Sequence, residues 1–97
     1  MFDAQDTIRF IDEWVKNNIE SPKGKSNEQI REIGYQMQAI EEIKECVYQG
    51  IPNNDITDIL FEYMLNCLRI TKVTQNTAVL YIYDVKYGTA EKMMDSI

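Results

Sequence analysis

Leu80, Tyr83, Tyr87, Ala90, Met94 and Ile97 follow one another at steps of three, four, three, four and three residues. That rhythm gathers side chains on one face of an α-helix and scatters them over both faces of a strand, so it predicts a helix running to the end of the chain. The same region holds Thr-Ala-Val-Leu-Tyr-Ile-Tyr-Asp-Val from Thr77 to Val85, rich in β-branched and aromatic residues. An α+β fold with a hairpin at about 70–85, turning at Gln75-Asn76, is therefore the alternative. A lone two-stranded hairpin is a weak partner for helices, which favours the helical reading.

Upstream stretches have the same periodicity. Ala4, Ile8, Ile11, Val15 and Ile19 form one stripe, widened by Phe10 and Trp14, with Asp3 placed to cap it. Ser21-Pro22-Lys23-Gly24-Lys25 is the clearest loop. Ser26 and Gln29 have capping-box spacing, and Ile30, Ile33, Met37, Ile40, Val47 and Tyr48 follow, with Ile43 at the edge. Gly50 and Pro52 mark the stop. Asn53 or Asn54 can cap the third stretch, which is apolar almost all round from Ile56 to Ile70 and reads as the central helix. Asp55, Asp58, Glu62, Asn66 and Arg69 form its narrow polar stripe. The expectation is all-α: one domain over 1–97, a small antiparallel four-helix bundle with helices at about 3–20, 27–49, 54–72 and 77–96. Met37, Met64, Met93 and Met94 read as core filling. A core this small gains from association, so a homo-oligomer is expected. Tyr81 and Val85, opposite the seam of the fourth helix, are its candidate interface residues.

Charge narrows the function classes. Ten Lys and Arg face sixteen Asp and Glu, a net charge of -6. That balance argues against binding nucleic-acid phosphates or anionic lipid directly. The sequence has no histidine, which removes Ser-His-Asp and Cys-His catalysis and His-ligated zinc. No apolar run reaches membrane-spanning length, and Met1-Phe2-Asp3-Ala4 does not begin like a signal peptide. Cys46 and Cys67, 21 residues apart, read as reduced thiols in a cytoplasmic protein. Ser21-Pro22-Lys23-Gly24-Lys25-Ser26 ends like a phosphate loop but lacks the first glycine and a preceding strand. Tyr81, Tyr83 and Tyr87 beside Lys86 have the chemistry to stack a base and meet a phosphate, although bundle core and rim use the same residues.

The motif with the most chemistry is Glu41-Glu42-Ile43-Lys44-Glu45, an E-E-x-x-E run, followed by D-x-x-D at Asp55 and Asp58. Carboxylates from two adjacent helices are the donor type that Mg²⁺ prefers. The stretch Met37 to Gly50 with Asp55-Ile56-Thr57-Asp58-Ile59-Leu60 resembles the all-α nucleoside triphosphate pyrophosphatases of the MazG type. The resemblance implies an oligomeric, Mg²⁺-dependent hydrolase with Glu41, Glu42, Glu45 and Asp58 as metal ligands. Asp55 then stands at the family's Glu position, one methylene shorter. The residues also have a purely structural reading. With Ile40 at 0°, the apolar stripe spans roughly -60° to 80°, Glu41 falls at about 100°, Glu45 at about 140° and Glu42 at about 200°, pointing away. Asp55 and Asp58 suit a helix N-terminus, and Glu41 is placed to pair with Lys44.

Size, charge and missing machinery predict a non-catalytic protein without cofactor, one that binds and inhibits a macromolecular partner. Inhibitors, immunity proteins and counter-defence proteins of phages or mobile elements are often built this way. The acids Asp3, Asp6, Asp12, Glu13 and Glu20, with the flank of the second helix, would meet a basic protein surface. The alternatives are the Mg²⁺-dependent pyrophosphatase and an oligomer that sequesters a nucleotide without cleaving it.

Overall fold

Helix signals decide the architecture, seen in a computed structural model that describes residues 4–49 and 55–97. Among these residues the elements are α1 (Ala4–Asn18), α2 (Asn27–Tyr48), α3 (Ile56–Val73) and α4 (Thr77–Asp95), with no strand. The chain is a four-helix bundle. The hairpin alternative at 70–85 gives way to two helices joined by Thr74, Gln75 and Asn76. Asn76 makes that turn: its side chain accepts from the N–H groups of Ala78 (2.9 Å) and Val79 (3.3 Å). Two donors left over at a helix start are thereby satisfied.

Ser26 opens α2 with a complete capping box. Its hydroxyl accepts from Gln29 N–H at 3.2 Å and its own N–H donates to Gln29 Oε1 at 3.0 Å. The α1–α2 loop turns at Gly24, whose φ of +77° favours a residue without Cβ. Lys25 and Glu20 clamp that loop at 2.7 Å. The cap of α3 is Asp55, whose carboxylate accepts from Asp58 N–H at 3.0 Å. Asp55 thus takes the role expected of Asn53 or Asn54. Those two, and Asp3, Gly50 and Pro52, lie outside the described residues.

All four helices supply the core: Ile11 and Trp14 from α1, Ile40, Ile43 and Val47 from α2, Ile59 and Leu60 from α3, Ala90 and Met93 from α4. Two expectations are corrected here. The central helix is α2, which packs on α1, α3 and α4, whereas α3 packs mainly on α4. Phe61 and Leu68 of α3 are consequently left 54% and 48% exposed. The buried face of α4 is also rotated from the expected seam. Lys86, Thr89, Ala90 and Met93 are inside, Leu80, Tyr83, Tyr87 and Met94 are half-buried, and Ile97 is exposed. The rotation is possible because the two polar members are satisfied. Lys86 finds a carboxylate, and the Thr89 hydroxyl donates to Val85 carbonyl at 2.9 Å. The molecule is flat, 41 × 35 × 21 Å, about two helices thick. No helix among the described residues is long and apolar enough to cross a membrane.

Candidate functional site

The acidic motif comes first, because its chemistry depends on convergence. The bundle disperses it. Asp55 spends its carboxylate on the α3 cap. Glu45 Oε1 accepts from Gln49 Nε2 at 3.4 Å, one turn along its own helix. Lys44 pairs with Asp12 of α1 instead of Glu41. The Asp12 hydrogen bond holds the Lys44 ammonium above its ordinary range, against the opposing effect of burial, with Glu41 adding a smaller attraction. Among the described residues, no three His, Cys, Asp or Glu side chains gather as ligands for a metal ion. The set Glu41, Glu42, Glu45, Asp55 and Asp58 therefore does not fit the Mg²⁺ that the resemblance implies.

Glu42 departs furthest from its expected place. It lies opposite the apolar stripe of α2, yet it is the hub of an interhelical cluster. Its Oε1 accepts from the Tyr63 hydroxyl of α3 at 2.7 Å and lies 2.9 Å from Lys86 Nζ of α4. Helical angle measures direction from one helix's own stripe and says nothing of helices that wrap its flank. The Lys86 ammonium also sits 5.0 Å from the centre of the Tyr83 ring. Burial, then the negative Glu42, push the Tyr63 phenol well above its ordinary range. The same two causes, in the same order, push the Cys67 thiol up to about 11. Cys46 is raised by burial and by Glu42 and Glu45. Both cysteines are free thiols held in the unreactive form. This cluster joins helices and offers no activated nucleophile.

An open groove lies between α2 and α4. Glu32 and Gln36 form one wall; Tyr81, Asp84, Val85, Gly88, Thr89 and Lys92 form the other, around about 270 Å³. The α2 wall of this groove spans about one turn and the α4 wall about three. Gly88 exposes backbone on the floor, where a Cβ would meet nothing within 4 Å. Past Glu32, Gln36 and Lys92 the depression continues to Asn18, Glu20, Gln29 and Ile33. Tyr81 stands at one end, 40% exposed, its ring edge-on to Tyr35 at 5.9 Å. Its phenol is raised by partial burial and then by the negative Glu32 and Glu28, with Arg31 opposing. Tyr81 and Val85, singled out from sequence, both line the groove. Their α2 neighbours Glu32, Tyr35 and Gln36 carried no sequence signal, because only the packing of α2 on α4 brings them there.

The arrangement offers an aromatic rim, apolar patches from Val85 and the Tyr81 ring, and carboxylates at Glu20, Glu32 and Asp84 against the Lys92 ammonium. It has acceptors for cationic groups and shape for a side chain or two. No protein-family model matches the chain, and neither a curated protein nor a solved structure matches it.

Proposed function

We propose that this chain is a non-catalytic binding protein whose α2/α4 groove engages, and thereby inhibits, a macromolecular partner with a basic surface. The observation that carries this reading is the negatively lined groove with Tyr81 at its mouth. A net charge of -6 speeds encounter with a cationic partner, and the tyrosine and Val85 supply the desolvated contact that fixes the complex. The partner's Lys or Arg side chains meet Glu32 and Asp84. Free Cys46 and Cys67 suit a reducing compartment, so we place the encounter in the cytoplasm.

A photocrosslinking residue at position 85, with one at the exposed Lys16 as control, tests this. The expected product is a single partner with a basic face, captured from position 85 and not from 16. Purified complex then weakens as salt rises, and Glu32→Lys with Asp84→Lys abolishes it while the fold persists. Equal capture at both positions, or affinity indifferent to ionic strength, overturns the reading. The hydrolase alternative is decided in parallel with nucleoside triphosphates and Mg²⁺. They are returned intact under our reading; pyrophosphate release that is lost in Glu41→Gln and Asp58→Asn would replace it.

A further inference from the structure

The outer face of α3 carries a second surface, unrelated to the groove. Phe61 and Leu68 are 54% and 48% exposed, and Leu65 lies half-buried between them. With Lys72 they follow at four, three and four residues, a seam on the side of α3 away from Leu60 and Cys67. Beside the seam run Glu62 and Arg69, both exposed. We propose that this seam is the site where a second copy of the chain docks, α3 against α3 in antiparallel orientation about a two-fold axis.

The occupant follows from the charges. Antiparallel pairing that layers Leu65 on Leu68 of the other copy brings Phe61 onto the Lys72 stem. The same register sets Glu62 near Arg69 of the other copy, twice by symmetry. Parallel pairing sets the Glu62/Arg69 flank of one copy against the uncharged Thr57, Met64 and Thr71 flank of the other, and gains neither pair. The stripe is therefore complementary to itself reversed, and its charged flank selects that orientation.

Sedimentation equilibrium of the full chain tests the proposal. The wild type is expected at twice 11.4 kDa, with a Kd of about 10 µM or tighter. Phe61→Glu yields monomer. Glu62→Arg weakens the dimer about tenfold, since two attractive pairs become repulsive. Adding Arg69→Glu to it restores association, a rescue that general damage to the fold does not produce. Because the replaced side chains are exposed, circular dichroism of each variant stays that of the wild type. A monomer at about 100 µM refutes the proposal. So does a dimer that survives Phe61→Glu, or a double variant no better than Glu62→Arg alone. Raised salt removes from the dimer only the part its two exposed flank pairs supply, whereas Glu32→Lys with Asp84→Lys leaves the dimer intact and abolishes the groove complex, so the two readings fail separately.

Discussion

Substituting Glu42 by Gln leaves the Lys86 ammonium buried without a counter-charge. The Lys86 side chain is 7% exposed and that of Glu42 48%, so the pair stands between the buried and the exposed extremes. Removing one member of a buried pair costs about 3–5 kcal/mol, and an exposed pair is worth about 0–1 kcal/mol. For Glu42→Gln we expect about 2 kcal/mol, because the amide oxygen keeps the Tyr63 hydroxyl satisfied but cannot neutralise Lys86. In a domain of this size that lowers Tm by about 8–12 °C. Lys86→Met removes the buried charge, keeps an apolar stem in the buried space, and leaves Glu42 facing water. Its cost is about 0–1 kcal/mol. With the lysine gone, Glu42→Gln no longer orphans anything, so the double variant is more stable than Glu42→Gln alone. The cycle should return a coupling of about 1.5 kcal/mol in urea unfolding. Additive losses, or a Glu42→Gln variant within about 0.5 kcal/mol of wild type, would refute the claim that Glu42 is what lets Lys86 sit inside.

Alkaline pH should loosen the fold. Cys67 titrates at about 11 when folded against 9.0 as a free group, and Tyr63 is raised above 10.0. Between these limits the unfolded chain has lost protons the native state retains, so stability present below about pH 9 is lost as pH climbs through about 11. Urea midpoints across that range check it, and a flat profile would contradict the assigned burial. At the turn between α3 and α4, Asn76→Ala withdraws the acceptor of two backbone N–H groups and should cost about 1 kcal/mol. Unfolding with an unchanged midpoint would mean that packing alone holds the turn.

Local signals were legible and distant ones were not. The capping box of Ser26 and Gln29 depends on residues three apart, and it formed as read. Helix periodicity likewise placed four elements to within a few residues. Lys86 is the counterexample. Hydropathy puts a lysine outside, and its partner lies 44 residues away, so periodicity alone sets the buried face of α4 one notch off. The apolar girth of α3 suggested a helix surrounded by protein, but girth does not say how many neighbours are available. At the groove, Tyr81 and Val85 stood out as apolar residues off the seam. Glu32 and Gln36 look like any solvated helix positions until α4 is packed beside them.

The chain has a single tryptophan, and it joins the two ends of the fold. Trp14 is 6% exposed, and its indole N–H donates to the Ser96 hydroxyl at 3.0 Å, 82 residues away. Ser96 in turn donates to the Lys92 carbonyl at 3.1 Å, anchoring itself to the last turn of α4. One natural fluorophore therefore watches the clasp between the first helix and the last. Its emission is a ready gauge of whether that clasp is shut, undiluted by any second indole, and trimming the final residues would undo the buckle from the far side.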